Sequence, residues 1–378
     1  MKTAPRFFLR WFLQAGSSPK LGLTVYPSPM RVTREFLKQS LLEQGLDLLG
    51  VVGLEVTEDF ARFLRWREQG LHGEMAFLEK NDSCRRSPSE LLPGAVSAIV
   101  FALPYSVGDT LKTPLGPRIA QYARIDDYHR LMWDRGERVI KKLQFLLPTA
   151  KFRVVVDTAP LLERALASKV ELGFIGKNTC FIHPEKGSFL LLGEILCDHH
   201  FEHDEKEVLP FDRKTKLGGC GPCDLCQVHC PTGALAKDYT LDAKLCLSYW
   251  TIEHRGPIPM EFWPHLGTYY FGCDLCQLAC PYNHNRTEGM LPSQFTKRTY
   301  PSLFVTATMT ETQYQKHFSS TALTRAKRNG LRRNALIAMA VTKDPRLDEA
   351  MELAQRDNES PIRETLEQIQ VYLSSSGA

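Results

Sequence analysis

The sequence predicts an α+β fold that leads into a cysteine-rich segment and ends in an α-helical tail. Three observations predict it. Between Met30 and about residue 210, short β-branched runs alternate with helical periodicities. Two nearly identical cysteine runs follow, "CGPCDLCQVHCP" (220–231) and "CDLCQLACP" (273–281). From Thr312 to Lys343 the chain then carries seven basic residues and no acid, on a helical period. These features divide the chain into an extension outside the fold (1–29), the α+β domain (30–210), the cysteine-rich domain (211–295) and the helical region (296–378).

Composition bounds what the chain can be. At 378 residues it has room for two or three domains. A hydrophobic content of 43% and a charged content of 24% are ordinary for a soluble protein. No apolar run is long enough to cross a membrane. The net charge of +4 resides in residues 1–29, which hold Lys2, Arg6, Arg10 and Lys20 and no acid. That stretch has the composition of a transit peptide but lacks the apolar run of a secretory signal. It reads equally as an extension ahead of a start at Met30. Beyond it the charges balance, so any nucleic-acid surface must be a local patch. The expectation is a cytoplasmic, monomeric protein with no membrane contact.

The elements of the first domain follow in order. Residues 33–45 carry a helical face of Phe36, Leu37 and Leu41, stopped by Gly45. "DLLGVVGLE" (47–55) reads as a buried strand, and Thr57 as the cap of a helix carrying Phe60, Phe63, Leu64 and Trp66. "SAIVFALPY" (97–105), "KFRVVVDTAP" (151–160) and "GSFLLLGEIL" (187–196) are further strands. Pro160 suits the first turn of a helix with Leu161, Leu162, Ala165 and Leu166. Asp157 thus falls at a strand's end. It is either a helix cap or, if burial raises its pKa, a proton donor. "GFIGKNT" (173–179) reads as a backbone loop around a ligand and matches no nucleotide motif.

The cysteines carry the sharpest signal. Eleven are present, and eight lie in the two runs or at Cys246 between them. Zinc sites commonly use two separated C-x2-C pairs. The first run instead reads Cys220-x2-Cys223-x2-Cys226-x3-Cys230-Pro231, the spacing of a bacterial ferredoxin, whose fourth cysteine ligates the other cluster. The second run has Tyr270 where its first cysteine would stand, and Cys246 is the substitute. Cluster one then takes Cys220, Cys223, Cys226 and Cys280, and cluster two takes Cys230, Cys246, Cys273 and Cys276. Cys84, Cys180 and Cys197 are left over. Two adjacent [4Fe–4S] clusters form an electron wire, which implies an acceptor at its end.

The tail reads as a helix, a turn at Gly330, a second helix and then a third, acidic one, resembling one or two HEAT-type pairs. Arg325, Lys327, Arg328, Arg332 and Arg333 are concentrated at one turn, as expected of a phosphate-contacting patch.

Several motifs then converge. "DTAPLLERALA", "LGFIGKNT", the ferredoxin run, "CLSYWTIEHRGPIP" around Cys246 and "FGCDLCQLACPYN" together resemble the epoxyqueuosine reductase family, from about Met30 to about residue 340. The resemblance implies an oxidoreductase that reduces epoxyqueuosine in the anticodon loop of tRNA, the last step of queuosine synthesis. It implies cobalamin in a nitroreductase-like domain beside two [4Fe–4S] clusters, with an electron donor as partner. Asp157 matches the family's acid. Arg85, Asp157, Lys177, Asn178, Thr179 and Ser248 are then the expected cobalamin neighbours. Phe174, Ala159 and Ile125 depart from the pattern. A corrinoid-dependent reductive dehalogenase is the alternative; the basic tail and the lack of a twin-arginine signal speak against it. An electron-transfer ferredoxin fused to a binding domain would need neither Asp157 nor a corrinoid.

Overall fold

A computed structural model describes residues 32–106, 118–170, 173–202, 204, 219–286, 298–356 and 359–375. The predicted extension 1–29 and the predicted junctions at 210/211 and 295/296 lie outside the described residues.

The first region is a sheet with helices on both faces. Its strands are β1 (Asp47–Gly53), β2 (Ser97–Pro104), β4 (Phe152–Val155) and β7 (Leu190–Cys197), in the order β1-β2-β7-β4, each antiparallel to its neighbour. Alternation along β2 explains the two cores. Ile99, Phe101 and Leu103 face one side with Leu37 and Leu41 of α1 (Arg34–Leu42) and Met132, Val139 and Leu143 of α4 (Tyr128–Leu146). Ala98, Val100 and Ala102 face the other with Leu166 of α5 (Glu163–Lys169) and Phe181. A central strand covered on both faces reads as continuous apolar sequence, which is why "SAIVFALP" was legible without alternation. Helix α2 (Thr57–Glu68) and the short α3 (Asp82–Arg86) complete this region.

Two predicted boundaries shift. Thr57 is the first helical residue of α2, not its cap; Val56 holds the cap position with no side-chain bond. Pro160 lies in the loop before α5, which starts three residues later at Glu163.

The cysteine-rich region is joined to this first region in two ways. β3 (Arg118–Ile119) pairs in parallel with β8 (Tyr269–Phe271). A buried polar knot adds to it: the Asn283 carbonyl accepts the Ser188 amide at 2.8 Å, the Asn283 amide donates to Ser188 Oγ at 2.9 Å, and Ser188 Oγ donates to Gln277 at 3.0 Å. Gly187 allows this approach. Its φ is +70°, and a Cβ there would stand 2.0 Å from Asn283 Oδ1.

The tail comprises α9 (Leu303–Thr308), α10 (Glu311–Phe318), α11 (Lys327–Thr342), α12 (Leu347–Ala354) and α13 (Ile362–Ser375). Gly330 does not turn the chain; it lies inside α11, buried in the helix it was expected to end. The acidic segment is two helices, α12 and α13, rather than one. α11 is the axis of the largest core, where Leu331, Leu336, Ile337 and Met339 meet Trp263, Tyr270 and Phe271 of the cysteine-rich region. No helix among the described residues is long and apolar enough to cross a membrane.

Candidate active site

Each cysteine run folds the same way. A tight loop presents the first cysteines, a one-turn helix follows, and the last cysteine leaves its far end. The helices are α6 (Leu225–Val228), followed by Cys230, and α8 (Leu275–Leu278), followed by Cys280. The thiols sort into two sets by which of them repel one another. Burial pushes Cys280 up to about 12, and the charges of Cys220 and Cys226 push in the same direction. Burial likewise raises Cys273, with Cys246 and Cys230 adding to it. Cys276 is raised by burial and by Cys273 and Cys246 among its neighbours. Cys280 of the second run thus lies within electrostatic reach of Cys220 and Cys226, and Cys230 of the first run within reach of Cys273 and Cys246.

Backbone amides point at these sulfurs. The Lys177 amide donates to Cys220 Sγ at 3.3 Å, and amides of Gln227, Tyr249, Leu275 and Tyr282 serve Cys226, Cys246, Cys273 and Cys280. Such donors stabilise thiolate and tune cluster potentials. Among the described residues, no three His, Cys, Asp or Glu side chains close on one point as a mononuclear ion requires. The C-x2-C-x2-C spacing, with amide donors behind the thiols, fits a polynuclear cluster better than zinc. Cys180 has a position that sequence spacing did not suggest. It is half-buried and pushed up to about 11, chiefly by desolvation, with Cys226 of one set and Cys246 of the other adding to it. Cys197 is buried within β7, and Cys84 lies in α3.

Asp157 stands just past β4, in a left-handed conformation with φ of 46°. Its carboxylate accepts from the Tyr128 hydroxyl at 2.9 Å and from His129 Nε2 at 2.8 Å. His129 Nδ1 meets Asp127 at 2.8 Å, and its ring stacks on Tyr128 at 4.0 Å. An imidazole bonded to a carboxylate at each nitrogen is held as the cation. Burial works against that charge, but Asp127 and Asp157 outweigh it and push His129 up to about 9. The same contact corrects the expectation for Asp157. Burial raises its pKa as foreseen, but His129 and Tyr128 outweigh burial and leave it below the usual carboxylate range. The resting proton is on His129. The signal was in "YARIDDYH", where an acid two residues before a histidine reads as an N-cap for α4 and hides the second role.

Behind Asp157 lie two more carboxyl groups. Glu163 Oε1 accepts the Asp157 amide at 2.5 Å, and burial pushes Glu163 up to about 8. Glu194, on β7, is wholly buried and raised by burial and by Glu163. The first turn of α5 also holds the expected ligand loop, since Arg164 donates to the Thr179 carbonyl at 2.6 Å. Within that loop Thr179 has φ of 64°, Lys177 Nζ meets Asp238 at 3.2 Å, and Asn178 is buried with its carbonyl on the Cys180 amide. The Asn178 Nδ2 is buried without a hydrogen-bond partner. Ser248 stands two residues after Cys246, and its hydroxyl is 3.5 Å from the Cys273 carbonyl.

Three expected contacts are otherwise occupied. Arg85 is turned inward, 6% exposed, donating to the Lys80 and Phe77 carbonyls and lying over Phe63. Arg332 and Arg333 are 2% and 0% exposed, because α11 runs through the core and turns that face inward. Arg332 donates to the Ala307 carbonyl, and Arg333 to the carbonyls of Trp250, His254 and Gly256. Neither can meet a phosphate. Arg325 and Lys327 are exposed. Arg325 is paired with Glu253 at 2.8 Å, lies over Phe77, and its charge reaches Asp157.

Comparison with known proteins agrees with this geometry. Residues 219–283 match the "4Fe-4S double cluster binding domain" family, and residues 85–158 match "Epoxyqueuosine reductase QueG, DUF1730". A curated epoxyqueuosine reductase from Pseudomonas aeruginosa is 38% identical over 262 residues, covering 68% of this chain and 70% of the relative. The chain belongs to the epoxyqueuosine reductase family. Its fold is similar to two solved epoxyqueuosine reductases. One, from Bacillus subtilis with its catalytic aspartate loop swung out of the active site, has a TM-score of 0.75 and 25% identity over 88% of each chain. The other, solved with an epoxyqueuosine-modified tRNA-Tyr stem loop, has a TM-score of 0.71 and 26% identity over 88% of each chain.

Proposed function

We propose that this chain reduces epoxyqueuosine to queuosine in the anticodon loop of tRNA. Family membership supports the reaction, and one local observation supports where it happens: a proton-loaded His129–Asp157 pair in the domain that is knotted to two four-cysteine sets. Removing an epoxide oxygen as water takes two electrons and two protons. Cys220, Cys223, Cys226 and Cys280 would hold one [4Fe–4S] cluster, and Cys230, Cys246, Cys273 and Cys276 the other. Cobalamin, when bound, supplies the low-valent metal reductant that opens the epoxide. The orphaned Asn178 amide fits a corrin side-chain amide, and Lys177, Thr179 and Ser248 would complete that lining.

The chain's own residues supply protons and exclude water. An alkoxide leaves poorly unless protonated as it departs. His129 holds the proton at Nε2, against Asp157. When the RNA loop covers the site, desolvation favours neutral groups, and the proton moves to Asp157 and on to the departing oxygen. Arg325, Lys327 and Arg328 would contact backbone phosphates. Asp157→Asn keeps the shape and removes the transfer. It should retain both clusters, cobalamin and tRNA binding, and lose ~10²–10⁴-fold in turnover. Near-normal turnover on epoxyqueuosine tRNA would leave Asp157 a loop residue only.

A further inference from the structure

The side chain of Glu163 does nothing in the scheme above, yet it is half-buried and bonded directly to the backbone of the acid. Its Oε1 accepts the amide of Asp157, six residues earlier. That amide belongs to a non-glycine residue with φ of 46°, a conformation that costs free energy and persists only where neighbours fix it. Left-handed backbone at Asp157 sends the carboxylate sideways to Tyr128 and His129 instead of onward along the strand. The next residue, Arg164, ties down the ligand loop through Thr179. One turn of α5 thus fixes both the acid and the loop expected to face the cofactor. The groups around Glu163 are Asp157, His129, Arg164 and the buried Glu194. Burial beside other acids keeps the Glu163 carboxyl neutral near pH 7, so its part toward Asp157 is that of a hydrogen-bond acceptor, not a charge.

We infer that Glu163 is a positioning residue: it latches the Asp157 turn in the conformation that presents the acid, through the Asp157 amide. This rests on the proposed reduction for its effect on turnover, but not for the latch itself. A relative solved with its aspartate loop swung out has a second position for such a loop, and a latch decides between two positions. Sequence alone hides the role, because a glutamate in the first turn of a helix reads as a dipole partner.

Two variants test it in the holoenzyme. Glu163→Gln keeps a neutral acceptor of the same size, and Glu163→Ala removes the acceptor. In Glu163→Ala, hydrogen exchange at the Asp157 amide should accelerate, and kcat should fall by ~10–100-fold with KM nearly unchanged, as expected of a misplaced catalytic group. Iron content and tRNA affinity should hold. Glu163→Gln should restore both exchange protection and kcat. If Glu163→Gln falls as far as Glu163→Ala, the carboxyl proton is what counts and the latch is wrong. Unchanged exchange in Glu163→Ala also overturns it, as does faster exchange with wild-type kcat. Because exchange is read on the protein alone, it decides the latch even if the wild type proves inactive on epoxyqueuosine tRNA, an outcome that would overturn the proposed function instead. Should Glu163→Ala lose iron or fold poorly, loss of protection and kcat in the well-folded Glu163→Gln would still refute the latch, and their retention would support it.

Discussion

The acid site depends on where one proton rests. His129 is raised to about 9 from an ordinary value near 6.5, so it binds its proton more tightly folded than unfolded. Its contribution to stability is therefore complete below the unfolded value and is lost as pH rises through about 9. Asp157, held low, contributes above its unfolded value and loses that contribution in acid. Thermal scans of wild type and His129→Gln should differ most at pH 6 and converge by pH 10. The pH profile of kcat should carry an alkaline limb near 9 that His129→Gln lacks. A constant difference in melting temperature between pH 6 and pH 10 would mean the ring is neutral when folded. The position of Asp157 at a strand end was legible, because three valines followed by an acid and a proline leave few alternatives. Its partners were not. Tyr128 and His129 arrive from a helix about thirty residues earlier, and no period in a sequence encodes that approach.

Helix α11 shows how a pattern can mislead at the scale of an element. A cluster of arginines with no acids reads as a solvated, phosphate-seeking face. In the fold, two of them are buried as hydrogen-bond donors to backbone carbonyls, because the helix is enclosed on more than one side. Gly330 was misread for a related reason: glycine interrupts an exposed helix, whereas a buried helix is held by its neighbours, and here even a Cβ would fit, 3.6 Å from Ala326. Arg333→Leu strands three buried carbonyls, each costing about 1–3 kcal/mol, so a large fall in melting temperature is expected. Lys327→Ala, on the exposed end of the same helix, should leave melting unchanged and reduce the salt slope of tRNA binding by about 1. A stable Arg333→Leu protein with weakened RNA binding would restore the surface reading. The strands and cysteine runs were legible because burial and ligand spacing act locally. Helix burial in the tail is set by partners distant in sequence.

At the scale of the whole molecule, the two cysteine runs form a single unit. Cys280→Ala and Cys220→Ala should each cost roughly half the iron and leave the same residual electron paramagnetic signal, while Cys230→Ala should match Cys273→Ala. If Cys230→Ala instead matched Cys220→Ala, each run would serve its own cluster. Cys197→Ser should keep full iron content, since that thiol is part of the sheet's interior. The junction between sheet and cysteine-rich region carries a consequence of its own. β3 is laddered to β8, and Ser188 is knotted to Asn283 and Gln277, so the two regions share backbone pairing and a buried polar contact. Among the described residues, nothing in that seam resembles a hinge. A redox protein with a hinge can gate current by changing the gap its electrons must tunnel across. A seam laddered and knotted in this way holds that gap steady, so timing would fall to whatever delivers electrons from outside and to the small turn that carries Asp157, where a latch could open.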